Sequence, residues 1–449
     1  MRIFFTILAA LVFPFSTYCG NAGARAVKAV PVYNFTFDCK VSKPSGIFKK
    51  GEEIVLSGRM LEKGTVPQNR FVCAQLLFNE KVRETRILPA AQEAVFRTSS
   101  DKAGWFMLRL TVLDEKKKPI INPASPWKVP FRSGVGAMVA PEEIRPGMAE
   151  PADFDEFWKK QRAELDKVPL KAVRTPVAVG KRYEGKVLCW DVKVECAGGM
   201  PVSGYLCMPV GAKPGSLPAQ VSYHGAGVRS AYKPLNDGQN MISFNVNAHG
   251  IENGKSADFY HSLNKNELKA YPHRNKNNRE LFYFRGMFLR IMRSLDYVKS
   301  LPEWNGKILI VTGGSQGGAQ ALVAAALEPR VTFCGSNVPA LCDHGGSLAE
   351  RTPGWPRLYR AKPGSSAHEK VADAVKYYDV CYFARRIKCE TRICTGFFDT
   401  VCVPTSVYAA YNSIPETTPK AIFTNPIGTH GMKHEGLQER IKKIIADGK

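Results

Sequence analysis

The spacing of hydrophobic and polar positions changes along this chain. Over residues 27–134, short apolar runs alternate with glycines and charged residues, without a long helical repeat. The clearest runs cover residues 53–58, 72–77 and 105–112. Several short strands at this spacing are typical of an immunoglobulin-like β-sandwich, so residues 27–134 are predicted to form one. No catalytic grouping stands out within it, and we expect it to have a structural or accessory role.

The chain after this region changes character. A stretch containing Gly134, Gly136, Pro141, Pro146 and Pro151 is interpreted as a linker. A helical pattern begins directly after it. Asp153 precedes that pattern and is expected to cap the N-terminus of the helix.

From about residue 184, strand-like and helix-like runs alternate. The strand-like runs are 187–195, 202–208, 219–223, 241–246, 308–311, 331–336, 391–397 and 421–425. Helical runs cover residues 281–300 and the stretch after Ser315. This alternation predicts a mostly parallel sheet with helices on both faces. Residues 135–449 are therefore predicted to form one α/β domain, with the linker and the first helix at its start.

The first 26 residues differ from the rest. Met1 and Arg2 are followed by an apolar run, residues 3–15, and then by small residues up to Ala26. This order is typical of a secretory signal peptide, with cleavage near Ala24 or Ala26. A membrane anchor is disfavoured because the apolar run is short for a bilayer span. We expect a secreted or periplasmic protein without membrane insertion.

Composition narrows the function classes. The net charge is +23, but the lysines and arginines are scattered and no nucleic-acid motif accompanies them, so we expect no nucleic-acid partner. A basic exported protein explains the charge, and attraction to an acidic polysaccharide is the second interpretation. The 12 cysteines show no zinc-type spacing, and no metal is expected. Cys39 and Cys73 are candidates for a disulfide across the sandwich, whereas most other cysteines are expected to be buried free thiols.

The strongest chemical signal is the stretch 311–318, Val-Thr-Gly-Gly-Ser-Gln-Gly-Gly. An apolar run precedes it and an alanine-rich, helix-forming run follows it. The order strand, glycine-flanked serine, helix is the nucleophile elbow of an α/β-hydrolase, read as Gly313-x-Ser315-x-Gly317. Its sharp turn exposes the hydroxyl of Ser315 and directs the backbone N–H of Gln316 towards an oxyanion.

On this fold an acid and then a histidine follow the serine along the chain. Asp399 lies just beyond one strand-like run and His430 just beyond the next, where such sheets place their chemistry. His430 would accept the proton of Ser315, and Asp399 would fix the tautomer of the imidazole. Asp343 is an alternative acid. His434, one helical turn further on, is an alternative base.

A second oxyanion donor is expected from a loop after an earlier strand. Residues 222–227, Ser-Tyr-His-Gly-Ala-Gly, end one strand-like run and fit this position. The N–H of Ala226 is the predicted donor, beside that of Gln316. His224 is interpreted as a buried, hydrogen-bonded histidine rather than as a second base.

Further short motifs accompany the elbow and the acid loop. The set comprises residues 153–158, 224–225, 285–286, 313–318 (Gly-Gly-Ser-Gln-Gly-Gly), 339–343, 399–402 (Asp-Thr-Val-Cys) and 409–412. Together they resemble the acetyl xylan esterase and cephalosporin C deacetylase family, carbohydrate esterase family seven, from about residue 138 to the C-terminus. The chain departs from this family at Ala226, where an aromatic residue is common, and over residues 245–250, which replace an Arg-Gly-Gln stretch.

The resemblance implies an α/β-hydrolase fold that removes acetyl groups from small oligosaccharides and related esters without a metal or cofactor. Carried over by motif, Ser315, Asp399 and His430 would be the catalytic triad, and Gln316 and Ala226 the oxyanion donors. Many members of the family form hexameric rings, which leaves a homo-oligomer open for this chain.

These features predict a secreted serine esterase that removes acetyl groups from xylan or xylo-oligosaccharides through an acyl-enzyme. An acetylated oligo- or polysaccharide would be its substrate. The first alternative is a peptidase or a longer-chain esterase on the same fold, although prolyl-type peptidases usually carry tyrosine in place of Gln316. The second alternative is a catalytically silent carbohydrate-binding protein, against which the complete order of serine, aspartate and histidine argues.

Overall fold

The structure is a computed structural model, and it describes residues 33–125, 128–360 and 365–448. The predicted signal peptide, residues 1–26, lies outside the described residues. Within the described ranges, no helix is long and apolar enough to cross a membrane.

Residues 35–139, called the N-terminal β region below, contain strands packed as two facing sheets. The strands are β1 Phe35–Val41, β2 Ile47–Phe48, β3 Ile54–Glu62, β4 Phe71–Phe78, β5 Lys81–Pro89, β6 Ala94–Thr98, β7 Gly104–Leu113 and β8 Arg132–Val139. One sheet has the order β1-β3-β6 and the other the order β2-β8-β7-β4-β5. Leu56 and Phe96 of the first sheet share a core with Leu108 and Val135 of the second. The three strands predicted in this region correspond to β3, β4 and β7.

The disulfide considered between Cys39 and Cys73 is absent, because both residues are free cysteines. The alternation of side chains along a strand gives the reason. Cys73 lies between the buried residues Val72 and Ala74 of β4, so its side chain points to the opposite face, away from the shared core. Cys39 on β1 packs against that core.

The predicted linker begins too early, because Gly134 and Gly136 lie within β8. Glycine is needed at these two positions because the backbone of β8 packs closely against Phe397 and Phe398, and not because the chain must be flexible there. A Cβ atom placed on Gly136 would lie 2.1 Å from the carbonyl oxygen of Phe397, a distance that no side chain tolerates. Strand β8 therefore runs across residue 134, where the sequence analysis places the end of the first domain.

The remainder of the chain forms a nine-stranded mixed sheet with helices on both faces. The strands are β9 Ala172–Pro176, β10 Val187–Val194, β11 Val202–Pro209, β12 Leu217–Tyr223, β13 Ile242–Val246, β14 Trp304–Gly314, β15 Phe333–Asn337, β16 Glu390–Gly396 and β17 Lys420–Asn425. Their order is β17-β16-β15-β14-β12-β13-β11-β10-β9. The part from β13 to β17 is parallel, whereas β9, β10, β11 and β13 pair antiparallel. The sheet is thus mostly parallel, as the alternation predicts.

The helices are α1 Phe154–Asp166, α2 Ala257–Lys265, α3 Tyr283–Lys299, α4 Gln316–Leu327, α5 Ser366–Val375, α6 Val380–Ala384, α7 Pro404–Ser413 and α8 Leu437–Asp447. Strand β14 shows how they cover both faces. Its residues Leu309 and Val311 join the main core with α3 and α4, whereas Ile308 and Ile310 pack against α8 on the other face. Alternation with a period of two residues sends these pairs to opposite sides.

Helix α1 begins at Phe154, as the pattern predicts, but Asp153 does not cap it with its side chain. The carboxylate of Asp153 instead accepts hydrogen bonds from Arg279 Nη1 at 2.9 Å and from the hydroxyl of Tyr377. The side chain of Asp153 thus binds Arg279 instead of the backbone N–H groups at the start of α1.

Candidate active site

Ser315 occupies the turn between β14 and α4, where the sequence places the elbow. Its backbone has φ 57° and ψ −123°, a conformation that non-glycine residues adopt only when their surroundings enforce it. Three backbone hydrogen bonds hold it: the N–H of Ser315 donates to Asn337 O at 2.8 Å, and Ser315 O accepts from Ala319 N and from Ala340 N, each at 3.0 Å. A Cβ atom on Gly317 would lie 2.1 Å from Tyr223 O. The glycine of the motif is therefore required by the close approach of α4 to β12.

The structure brings the predicted nucleophile, base and acid into one hydrogen-bonded chain. His430 Nε2 lies 3.0 Å from Ser315 Oγ, and His430 Nδ1 lies 2.9 Å from Asp399 Oδ2. In the neutral imidazole, Nδ1–H donates to the carboxylate and Nε2 accepts from the serine hydroxyl. This arrangement allows the serine proton to move to Nε2 as Oγ attacks an electrophilic carbon.

Asp399 is completely buried, and both of its carboxylate oxygens are used. Oδ1 accepts hydrogen bonds from Val401 N at 2.8 Å and Cys402 N at 3.0 Å, while Oδ2 faces His430. Buried charge without such partners would be costly. Cys402 is itself fully buried, and burial holds the pKa of its thiol well above the ordinary value. The thiol of this acid turn is thus neutral.

The alternative acid, Asp343, is engaged elsewhere. Its Oδ2 accepts a hydrogen bond from Arg351 Nη2 at 3.0 Å, and its Oδ1 accepts one from Gly147 N at 2.7 Å. Burial raises the pKa of the Asp343 carboxyl to about 6, although Arg351 opposes that shift. Asp343 therefore holds the chain before α1 against the loop after β15.

The alternative base, His434, does not contact the serine. Its ring packs against that of Phe423 in a tilted arrangement, with centroids 4.4 Å apart, and its backbone N–H donates to Asn337 Oδ1 at 2.9 Å. Among the two candidate histidines, the structure thus places His430 at Ser315 and uses His434 for packing at the start of α8.

Gln316 and the loop that carries Ala226, the two predicted sources of oxyanion donors, both lie beside Ser315. Gln316 is the first residue of α4, so its N–H has no partner within the helix and lies at the positive end of the helix dipole. The loop after β12 approaches from the other side: a Cβ atom on Gly225 would lie 3.6 Å from Ser315 Cβ. Ala226 follows directly in that loop and is partly exposed. An anion formed next to Ser315 would therefore meet backbone from two segments.

Two residues that the sequence analysis missed support these segments. His249 Nε2 donates to Gly227 O at 3.2 Å, and its Nδ1 accepts a hydrogen bond from the hydroxyl of Tyr283 at 2.6 Å. Tyr271 Oη donates to Gln316 Oε1 at 2.7 Å. His249 follows β13 at the same sheet edge as the other site residues, which is a signal that could have identified it. Tyr271 lies in a short turn after α2 and has no such signal.

His224 and His249 are both neutral because they are buried. Burial lowers the pKa of His224 to about 4 and that of His249 to about 3. His224 Nδ1 donates to Gly225 O at 2.7 Å, and Nε2 accepts from Ala248 N at 3.1 Å. This is the buried, hydrogen-bonded role expected for His224. Both rings therefore link the loop after β12 to the loop after β13 through hydrogen bonds.

We expect His249→Gln to reduce the loss of stability in acid. An unfolded histidine has a pKa of about 6.5, so a folded value of about 3 means that unfolding takes up a proton below pH 6.5. The stabilising effect is complete above that pH and is lost as the pH falls towards 3. Between pH 6.5 and 4 it amounts to about 3 kcal/mol. The free energy of unfolding in urea, determined at each of these two pH values for the variant and the wild type, measures this effect.

The matched control for this measurement is Tyr271→Phe, which removes a buried hydrogen bond of the same cluster without removing a histidine. It should lower the free energy of unfolding by a similar amount at both pH values. Equal pH dependence in His249→Gln and the wild type would contradict the assignment of proton uptake to His249.

The site residues lie in loops at the carboxyl ends of β12, β13, β14, β16 and β17, so they meet at one edge of the sheet. Within the described part of the chain, no group of three or more histidine, cysteine or acidic side chains could hold a metal ion. The arrangement supplies a nucleophile, a base with its orienting acid, and backbone donors. These are the groups needed for acyl transfer.

Comparisons with known proteins identify acetyl esterases as relatives of this chain. Residues 141–445 match the family model described as acetyl xylan esterase (AXE1). The chain is 35% identical over 302 residues to acetyl esterase Axe7A of Xylanibacter ruminicola, covering 65% of this chain. It spans 66% of the length of that relative, or about two thirds.

Solved structures with the same esterase fold include two acetyl xylan esterases. The enzyme from Paenibacillus sp. R4 is 26% identical with a TM-score of 0.57, covering 68% of this chain and 98% of that one. Acetyl xylan esterase 1 from Thermoanaerobacterium sp. JW/SL YS485 is 25% identical with a TM-score of 0.57, covering 68% and 97%. Because the family model spans most of the nine-stranded sheet and its helices, the chain belongs to the acetyl xylan esterase family.

Proposed function

We propose that this protein is a serine esterase that removes acetyl groups from carbohydrate. The observation that carries the proposal is the unbroken hydrogen-bonded chain from Ser315 through His430 to Asp399. Family membership supports the ester chemistry, and the buried carboxylate of Asp399 supports a fixed imidazole.

In the proposed mechanism, Ser315 Oγ attacks the acetyl carbonyl carbon while His430 Nε2 accepts the hydroxyl proton. The N–H groups of Gln316 and Ala226 donate to the oxyanion of the tetrahedral intermediate. The carbon–oxygen bond to the sugar then breaks, and His430 returns the proton to the leaving alcohol. Water, deprotonated by the same nitrogen, attacks the acetyl-serine. The bond to Ser315 Oγ then breaks, His430 returns the proton to that oxygen, and acetate is released. Asp399 holds the imidazole and stabilises its charged form throughout.

The proposed substrate is an acetylated xylan or xylo-oligosaccharide. The names of the relatives support an acetyl group, and two of them support xylan. We further propose that residues 1–26 direct export, that the mature protein acts outside the cytoplasm, and that its N-terminal β region is an immunoglobulin-like sandwich. Sequencing the N-terminus of the protein recovered from a secreting host tests the export step, because an intact Met1 would refute it.

A panel of substrates tests the proposed reaction. We expect acetate release from p-nitrophenyl acetate and from acetylated xylo-oligosaccharide. For an acetyl-selective enzyme, kcat/KM should be at least about 10-fold lower for an octanoyl ester than for the acetyl ester, because each added methylene must be accommodated in the acyl site. A fluorophosphonate probe should label Ser315. Peptide turnover that exceeds acetate release would favour the peptidase alternative. Folded protein that fails to react with the probe would favour the silent carbohydrate-binding alternative.

A further inference from the structure

The N-terminal β region contacts the chain segments that carry the acid and the histidine of the site. Trp105 of β7 is 1% exposed and shares the main core with Phe397. Its Nε1–H donates to Phe397 O at 2.8 Å, two residues before Asp399. On β8, the N–H of Gly136 donates to Pro426 O at 2.8 Å, four residues before His430. Each loop thus receives one backbone-directed hydrogen bond from this region.

Packing at this contact leaves little freedom. A Cβ atom on Gly134 would lie 2.5 Å from the ring of Phe398, and one on Gly136 would lie 2.7 Å from Phe397 Cβ. The backbone of β8 therefore lies directly against the two residues that precede Asp399. The two loops also hold each other, because Phe398 N donates to Gly428 O at 2.9 Å. A shift of β8 or of Trp105 would be transmitted to both loops.

A charged bridge supports the other side of the acid. Glu80, in the turn between β4 and β5, accepts a hydrogen bond from Arg357 Nη2 at 2.8 Å. The same Nη2 donates to Thr400 O at 2.9 Å, on the residue after Asp399. Glu80 is itself held, since Thr352 Oγ1 donates to its second oxygen at 3.1 Å. Both ends of the acid turn are thus fixed from the N-terminal β region, one directly by Trp105 and one through Arg357.

We propose that the N-terminal β region positions the catalytic acid, and that Trp105 and Glu80 are positioning residues for Asp399. The inference rests on the proposed function, in which Asp399 orients His430. The indole fixes the peptide before the acid, and the Glu80–Arg357 pair fixes the peptide after it. Neither residue touches the reacting atoms. Their contribution is geometric, because catalysis falls steeply when a reacting group is displaced by about 1 Å.

The first test replaces Trp105 with phenylalanine, which keeps an aromatic ring and removes the Nε1–H. We expect kcat on p-nitrophenyl acetate to fall about 10-fold with KM nearly unchanged. Trp158→Phe is the matched control: Trp158 is 3% exposed, and its Nε1 donates to Tyr377 O at 3.0 Å, away from the acid loop. It should lose similar stability but keep the wild-type kcat. Equal kcat values for Trp105→Phe and the wild type would overturn the proposal.

The second test combines Trp105→Phe with Asp399→Ala. If Trp105 acts through Asp399, the loss of kcat caused by Trp105→Phe should disappear in the Asp399→Ala background. The same fold loss in both backgrounds would mean a general structural effect and would overturn the positioning role. Full activity of Asp399→Ala alone would instead refute the proposed triad, so the two failures can be told apart.

A third variant covers the case in which Trp105→Phe does not fold. Glu80→Gln removes the charge that holds Arg357, at a partly exposed side chain where folding is less at risk. We expect a loss of kcat of about threefold, again abolished in the Asp399→Ala background. An unchanged kcat in folded Glu80→Gln protein would refute the bridge through Arg357.

Discussion

Ser315→Ala is expected to lower kcat for acetyl ester hydrolysis by a factor of about 10⁴ to 10⁶. The reason is that, among the residues the structure describes, no other hydroxyl is held in the elbow geometry with an imidazole nitrogen 3.0 Å away. Binding groups and backbone donors remain in the variant, so a small residual rate above that of water should persist. KM should change little because the side chain lost is small. Initial rates on p-nitrophenyl acetate, with circular dichroism as the check on folding, measure the effect.

The control for this experiment is Ser336→Ala. Ser336 is 1% exposed, and its Oγ donates to Gly318 O at 3.0 Å, so the variant also loses a buried hydroxyl close to α4. Its stability should fall by about 1 kcal/mol, while kcat stays near the wild-type value. Retention of activity by Ser315→Ala would exclude Ser315 as the nucleophile.

His430→Ala is expected to lower kcat by a comparable factor, about 10⁴ or more. His430 is the one member of the candidate pair that reaches both Ser315 Oγ and Asp399 Oδ2. Without it the hydroxyl has no acceptor for its proton, and the leaving alcohol has no donor. Since these groups act as a unit, combining His430→Ala with Ser315→Ala should add almost nothing to the loss.

His434→Ala separates this role from packing. His434 packs against Phe423 and lies only four residues beyond His430. The variant therefore removes a histidine from the same segment of the chain without removing the contact to Ser315. We expect a modest loss of stability and a kcat within about threefold of the wild type, as is usual for packing residues away from the reacting atoms. A larger loss for His434→Ala than for His430→Ala would reverse the assignment of the base.

The core of the site was predictable from the sequence because its local constraints are strict. A serine held at φ 57° next to Gly317, whose Cβ would clash with Tyr223 O, leaves few residue choices, and these are visible as a motif. The acid and the histidine were predictable from their places after consecutive strand-like runs. The choice between His430 and His434 was open in the sequence, since only the folded contacts, His430 with Ser315 and Asp399 and His434 with Phe423, separate them.

Other features depend on contacts between segments far apart in sequence, and no local pattern reports them. Gly134 and Gly136 look like linker residues, yet they lie in β8 where Phe397 and Phe398 approach. Asp153 has the composition of a helix cap, but Arg279 binds its carboxylate from 126 positions away. Tyr271 supports Gln316 from a turn without periodicity. In each case a distant partner decides the role of the residue.

The match to the family model begins at residue 141, yet Trp105 and Gly136, which lie before it, bind the backbone near Asp399 and His430. The segment that the family model matches and the segment that contacts the acid and histidine loops therefore have different boundaries in this chain. A shortened protein that begins at residue 141 would leave Phe397 O without its indole donor and would open an apolar surface to water. A fusion protein that contains this esterase should therefore include the N-terminal β region.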